Sequence, residues 1–226
     1  MNKLRLGRLN MRYDLIIFDL DGTVLNTLID LTCAVNYALK ASGFPELDRE
    51  GVRHRIGNGV ARLIRLALPE GTPESVQSRV LADFKAYYAE HADVHTLPYP
   101  GIPELLQALR SAGVATAVNS NKMDVATQSL CRAHFDGLLD AVLGERAEIP
   151  KKPAPDGAKR VMAELNAPAA RTLYVGDSDT DLLTAQNAGI DGAWVAWGYR
   201  RREELGDVAV PHAFETVEAL KAFILE

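Results

Sequence analysis

Asp19 and Asp21 stand one residue apart in Asp19-Leu20-Asp21-Gly22-Thr23, straight after the apolar run Leu15-Ile16-Ile17-Phe18. The run reads as a buried strand, so two carboxylates meet where a strand enters a turn. Close like charges in such a place cost stability. A cation and a phosphoryl group give that cost a purpose. One carboxylate can attack, the other can manage a proton, and a Mg2+ beside both cancels their repulsion.

Elements must hold that pair in place, and their pattern is uneven. Residues 14–19 read as a strand, and residues 28–96 as almost wholly helical. Within that block Leu28, Leu31, Val35, Ala38 and Leu39 recur at helical spacing, with Gly43 as a left-handed stop. Thr72-Pro73-Glu74 reads as an N-cap, a proline at the first helical position and an acid in the first turn. Val76, Val80, Phe84 and Tyr87 are expected to line one side of the helix that follows, and Gly57-Asn58-Gly59 makes a loop. After Pro98-Tyr99-Pro100-Gly101 the pattern alternates: helix 103–112, strand 114–119, helix 123–133, strand 139–143, helix 155–166, strand 172–176, helix 179–188 and strand 192–196. Such alternation predicts an α/β fold with a doubly wound, Rossmann-like parallel sheet. The helical block interrupts it. The expected division is a core of residues 12–27 and 97–226 and an inserted all-helical cap of residues 28–96. Residues 1–10 read as a poorly ordered extension, with Met11 as an alternative start.

Composition narrows the function classes. A net charge of -5 argues against a general nucleic-acid surface. No apolar run approaches the ~20 residues that span a bilayer, and the N-terminus lacks the apolar stretch of a signal peptide. Cys33 and Cys131 give no disulfide framework, so a cytoplasmic setting is the simplest expectation, and both read as small buried hydrophobes.

Open α/β sheets place ligands at the carboxyl ends of their strands. Those ends carry Asp19 and Asp21, then Asn119-Ser120-Asn121-Lys122, then Gly176-Asp177-Ser178-Asp179-Thr180-Asp181, with Lys151-Lys152-Pro153 ahead of the last strand. Taken singly, each has a bland reading: an Asp as a turn former, Asp181 as a surface helix residue, Ser120 and Lys152 as loop residues. Together they resemble the haloacid dehalogenase superfamily, and within it the phosphatases. Asp19 to Thr23 resembles its first motif, Ser120 the second, Lys152 the third, and Gly176-Asp177 with Asp181 the fourth. The resemblance covers residues 12–226, including a helical cap after the first motif. Ile56-Gly57-Asn58-Gly59, Pro98-Tyr99-Pro100-Gly101 and Trp197-Gly198-Tyr199 are similar to the phosphoglycolate phosphatases and their relatives. Asn26-Thr27 departs from the pattern, where relatives often carry Asp before Ser or Thr.

The resemblance implies a Mg2+-dependent phosphomonoester hydrolase acting on a small phosphorylated metabolite, with 2-phosphoglycolate as the expected substrate. Asp19 is then the nucleophile that becomes an aspartyl-phosphate, and Asp21 the acid and base. Asp19, Asp177 and the backbone carbonyl of Asp21 are the expected metal ligands; Asp181 is either a further ligand or a holder of Lys152. Thr23, Ser120 and Asn121, with Gly57 and Asn58 from the cap, are the expected substrate and phosphate contacts, and Lys152 balances charge. Lys151 is expected in solvent, as is the run Arg200-Arg201-Arg202-Glu203-Glu204. Arg53, Arg55, Arg62 and Arg65 make the cap stretch cationic, which suits a carboxylate on the leaving group, though each reads singly as a solvated face; His54 has the same standing. The chain is expected to work as a monomer or homodimer without nucleic acid or membrane. A phosphoglucomutase-like mutase, an inorganic pyrophosphatase and, from a different class, a phospho-Asp signalling module are the alternatives.

Overall fold

The computed structural model describes residues 11–226, so the extension expected over residues 1–10 lies outside it. The elements run in chain order as β1 (Leu15–Phe18), β2 (Leu25–Asn26), α1 (Leu28–Ala41), α2 (Arg49–Arg53), α3 (Val60–Ala67), α4 (Glu74–His91) and β3 (Leu97–Pro98). The second half continues with α5 (Ile102–Ser111), β4 (Ala115–Met123), α6 (Asp124–Phe135), β5 (Ala141–Glu145), α7 (Asp156–Glu164), β6 (Thr172–Gly176), α8 (Asp179–Ala188), β7 (Asp191–Val195), β8 (His212–Phe214) and α9 (Val217–Leu225).

β1 is buried along its whole length and divides its side chains by the two-residue period of a strand. Ile16 and Phe18 enter one apolar cluster with residues of α5, α6 and α9, whereas Leu15 and Ile17 enter another with α7 and α8. Helices therefore cover both faces, as a near-continuous apolar strand demands. The six-stranded sheet has the order β5-β4-β1-β6-β7-β8, and every pairing is parallel. The chain first adds β4 and β5 on one side of β1, then β6, β7 and β8 on the other. β1 with its neighbours β4 and β6 is thus the point where strand order reverses, and a crevice opens beyond the carboxyl ends of those three.

α1 to α4 share a separate apolar cluster that includes Leu31, Val35, Leu39, Val52, Leu63, Ile64, Val80, Phe84 and Tyr88. Tyr88, not Tyr87, continues the buried stripe of α4; Tyr87 stacks on Tyr37 at 4.3 Å near the surface. Residues four apart stay closer to one helix face than the three-residue step to Tyr87 suggested. Gly43 does take φ +75° just past α1. Pro73, not Thr72, is the cap residue of α4, and the Thr72 hydroxyl donates to the Pro69 carbonyl instead. β2 and β3 pair antiparallel where the chain leaves and re-enters the sheet region. β8 and α9 lie past the last strand read from sequence and extend the sheet edge.

Candidate active site

The turn after β1 is built around Leu20, whose carbonyl accepts from the N–H groups of Thr23, Val24 and Leu25. Gly22 sits at φ +85°, and a side chain there would place its Cβ 2.6 Å from a carboxylate oxygen of Asp177. Gly22 therefore both makes the turn and lets Asp177 approach it. Trp197 clamps the turn from outside by donating its indole N–H to the Thr23 carbonyl, 3.0 Å. Gly198 is pressed equally close: a Cβ on it would collide with Asp177 and with the Gly22 carbonyl.

Asp19, Asp177 and Asp181 are buried, and one carboxylate oxygen of each lies within 4.8 Å of the others. Lys152 reaches them from the loop before α7. Its Nζ is 2.8 Å from Asp19 Oδ1 and 2.7 Å from Asp181 Oδ1. The Asp19 contact is an ion pair off hydrogen-bond alignment, so buried Asp19 Oδ1 accepts no hydrogen bond. Burial pushes the Asp19 carboxyl up to about 7; Lys152 pulls against that, and Asp181 and Asp21 add to it. Burial and then Asp181 and Asp19 push Asp177 up to about 8. Burial opposes the charge on Lys152 too, but Asp181 and Asp19 hold its ammonium well above the ordinary lysine range.

One lysine against three clustered carboxylates leaves anionic charge uncompensated. The donors are all hard oxygens, and Asp19 offers an unsatisfied one, so the set fits a small divalent cation such as Mg2+. Asp177 is aimed by the Thr23 hydroxyl, 3.2 Å, and the Tyr199 N–H, 2.6 Å. Asp181 is otherwise occupied. Its Oδ1 accepts from Lys152, and its Oδ2 accepts from the Ser178 hydroxyl and N–H at 2.6 and 3.1 Å in the capping box that starts α8. Asp181 thus holds Lys152 and caps α8, while one of its oxygens stays within the cluster shared with Asp19 and Asp177. Gly176 makes room for it, because a Cβ there would strike the Asp181 carboxyl.

Asp21 faces the other side of the turn. It accepts from the Thr27 hydroxyl, 2.7 Å, and from Lys122 Nζ at 2.9 and 3.1 Å. Thr27 is tied in turn to Tyr199, whose hydroxyl oxygen accepts from the Thr27 N–H at 2.8 Å. Sequence reasoning did not single out Lys122, Thr27 or Tyr199 as side chains of the site. Lys122 follows the strand-end residues Asn119, Ser120 and Asn121 directly, and β4 runs on through it to Met123.

The structure gathers Asp19, Asp21, Ser120, Asn121, Lys122 and Asp177 around one small cavity of about 50 Å³. Leu31, Ile56, Gly57, Gly59, Val60 and Leu63 from the helical segment close the opposite wall. Lys152 lies just behind it, joined to Asp19. Thr23 does not line the cavity; its hydroxyl goes to Asp177. The Asn121 side chain is turned to holding loops together, donating to the Gly57 and Lys152 carbonyls and accepting from the Lys152 N–H. Gly57 and Gly59 reach the wall, and Asn58 between them does not.

Charged residues expected in solvent are also engaged. Lys151 pairs with Glu145 at 2.7 Å beside Gly59. Arg53 is buried, donates to the Tyr199 carbonyl, and pairs with Glu204 at 2.8 Å, holding that carboxyl down to about 2. His54 Nδ1 is 2.9 Å from the same Glu204. Arg200 lies on the cavity wall, and its guanidinium donates to the carbonyls of Arg53, His54 and Ile56. These contacts join chain segments some 150 residues apart, which local charge patterning could not reveal. Among the described residues no helix is long and apolar enough to cross a membrane.

Comparison with known proteins places this architecture in context. The model of the haloacid dehalogenase-like hydrolase family matches residues 16–195. A phosphoglycolate phosphatase of Aquifex aeolicus is 30% identical over 213 residues, 93% of this chain and 98% of that one. One from Caulobacter vibrioides is 33% identical over 88% of this chain and 86% of its own length. A solved structure from Lactobacillus delbrueckii subsp. bulgaricus superposes with a TM-score of 0.90 at 36% identity, covering 95% and 99% of the two chains. The CbbY protein of Rhodobacter sphaeroides, solved in complex with phosphate, gives 0.72 at 27% identity over 90% and 94%.

Proposed function

This chain belongs to the haloacid dehalogenase-like hydrolases, and we propose that it is a Mg2+-dependent phosphatase of small phosphate monoesters, with 2-phosphoglycolate as substrate. The observation that carries the reading is the placement of Asp19: it lines the cavity at the end of β1, in a cluster with Asp177 and Asp181, with the Lys152 ammonium 2.8 Å from its Oδ1. A carboxylate nucleophile needs a cation beside it and an open path to its target. The names of the relatives support the choice of substrate.

In this mechanism Asp19 attacks phosphorus. An Asp19 oxygen–phosphorus bond forms, the ester oxygen–phosphorus bond breaks, and the leaving alkoxide takes a proton from Asp21, which enters this step as the neutral acid. Asp21 then removes a proton from the water that hydrolyses the aspartyl-phosphate, which returns both carboxylates to their starting states. Lys152 keeps Asp19 charged against burial and offsets the phosphoryl charge, while Asp181 fixes Lys152 in place. Ser120 and the amides beside it bind phosphoryl oxygens. Asp19, Asp177 and the Asp21 carbonyl would hold the cation, which supplies charge neutralisation at the phosphoryl group. The helical segment, residues 28–96, serves as a cap that excludes water and reads the leaving group.

A panel of phosphate esters with Mg2+ tests the reading. Phosphate release should be fastest from 2-phosphoglycolate, EDTA should stop it, and added Mg2+ should restore it. A clear preference for pyrophosphate would make the protein a pyrophosphatase. A preference for a hexose phosphate, with isomerisation in place of release, would make it a mutase.

A further inference from the structure

A cavity wall facing a leaving group needs something that recognises that group, and the helical segment supplies little charge for it. Arg53 is bound to Glu204 and Glu50, and Arg55 to the carbonyls of Gly51 and Leu66. Arg62 and Arg65 are exposed on α3. Arg200 is on the wall, but its guanidinium is given to three backbone carbonyls. Lys152 is turned to Asp19 and Asp181.

Lys122 is different. Its side chain is buried and lines the cavity together with Ser120 and Asn121. Its hydrogen bonds of ordinary length go to one partner, Asp21. Its ammonium stands 4.7 Å from the ring centre of Tyr88 on α4, a cation–π distance. A desolvated ammonium chelated by a single carboxylate can give up one of those bonds to an incoming anion. Much of the cost of taking that charge out of water is already met in the fold.

We propose that Lys122 reads a carboxylate on the leaving group and so selects phosphate esters of 2-hydroxy acids. The inference rests on the phosphatase reading above and adds to it a specificity-determining residue. Its core is a distance. Asp21 serves the ester oxygen, and Lys122 Nζ is 2.9 Å from Asp21. An anion held by Lys122 must then lie close to the ester oxygen along the leaving group. In a 2-hydroxy acid the carboxylate is bonded to the very carbon that carries that oxygen. Neutral alcohols give Lys122 nothing, and an acid one methylene longer carries its charge past it.

The experiment compares 2-phosphoglycolate with 2-hydroxyethyl phosphate, a neutral ester of the same length, in the wild type and in Lys122→Met. Methionine keeps a flexible stem for Tyr88 and loses the charge. Hydrogen bonds to a charged group are worth about 1.5–3 kcal/mol, or about 10–100-fold in kcat/KM. The wild type should prefer phosphoglycolate by that factor, and Lys122→Met should abolish the preference. Equal losses on both esters would mean that Lys122 only orients Asp21, and would overturn the proposal while leaving the phosphatase reading intact. A second comparison needs no variant. The wild type should hydrolyse the phosphate ester of 3-hydroxypropionate at least about tenfold less efficiently than phosphoglycolate; equal rates would overturn the ruler. A wild type that hydrolyses none of the three esters would instead refute the underlying phosphatase reading.

Discussion

The buried carboxylates make the cation-free protein lose stability as pH rises, the reverse of ordinary acid denaturation. Asp19 is raised from 3.8 to about 7 and Asp177 from 3.8 to about 8, both chiefly by burial. Between pH 4 and 8 the folded chain therefore holds protons that the unfolded chain has released. Stability follows the difference in bound protons, so the contribution of these two carboxyls is fully present below pH 4, falls from there, and is lost once pH has climbed through 7 and 8. Each pH unit of displacement corresponds to about 1.4 kcal/mol, and the rise from 3.8 to about 7 penalises ionised Asp19 by about 4 kcal/mol. The two carboxyls share each other's charge, so their penalties do not add and a single loss of about 4 kcal/mol stands for the pair. For a chain of this size 1 kcal/mol moves Tm by about 2–4 °C, which gives a fall of about 8–16 °C. Thermal melts in EDTA at closely spaced pH values from 4 to 9 measure it. Mg2+ should cancel the fall at high pH, because it binds the ionised ligands and stabilises by mass action, about 4.1 kcal/mol at a thousandfold excess over Kd. Asp177→Asn should flatten the EDTA curve. A cation-free Tm that is level or rises from pH 5 to 8 would refute the account of the site as an uncompensated buried cluster.

Asp19→Asn should retain the wild-type circular dichroism spectrum, with an EDTA Tm at pH 8 no lower than the wild type's, while phosphate release falls by at least about 10⁴-fold, a loss of ~5 kcal/mol of transition-state stabilisation; measurable turnover near the wild-type rate would remove it as nucleophile. Gly198→Ala must push its Cβ into Asp177 and the Gly22 carbonyl; a loss of ~2 kcal/mol or more in urea unfolding is expected, with Mg2+ dependence weakened as Asp177 is displaced. Asp181→Asn keeps a side chain in the capping box but drops the charge facing Lys152, so kcat should fall about 10–100-fold with little change in Mg2+ affinity. A large rise in the Mg2+ requirement would instead make Asp181 a ligand. Glu204→Gln leaves buried Arg53 with Glu50 as its remaining carboxylate partner and should cost about 1 kcal/mol in thermal or urea unfolding.

The ends of β1, β4 and β6 could be read from sequence because burial on both sheet faces demands apolar runs, and polar residues at the close of such runs are conspicuous. Asp19, Asp21, Ser120 and Asp177 were legible for that reason. Lys122 was not, because β4 continues past Asn119 through an irregular register before pairing again at Met123; polar residues there looked like a loop. Lys152 and Asp181 were legible as residues, and their contact was one of the two roles expected for Asp181, although it joins positions 29 apart through a folded loop. Glycines are the hardest case. Gly176 and Gly198 stood in motifs the sequence offered, but the reason for their identity is neighbours a Cβ would strike, which lie far off in the chain or beyond a turn. Arg200 to Glu204 misled for the opposite reason. A dense run of charge has the pattern of a solvated surface, and only long-range packing turns two of its members inward.

Two groups of contacts with different physics bear on the helical segment: those that join it to the sheet region, and those that join its own two ends to each other. The first, at the cavity mouth, are Arg53 with Glu204, Arg200 with three carbonyls, and Asn121 with the Gly57 carbonyl. Most of them reach solvent, where each such pair is worth about 1 kcal/mol or less and water replaces it readily. At the far end stands Asp30, buried on α1. Its carboxylate accepts the N–H groups of Val94, His95 and Thr96, together with the Thr96 hydroxyl. Burial alone would raise that carboxyl; those donors, His95 first, hold it below the usual range instead. A buried charge with so many partners is costly to strip, because every donor and the carboxylate would be left unpaired at once. The returning chain is therefore riveted to α1 just before it re-enters the sheet region through β3. Thermal fluctuation breaks the weaker set first. The proposed exchange of substrate and product thus has a direction built into it: the segment parts at the mouth, beside Gly57 and Glu204, and turns as one body about the Asp30 end.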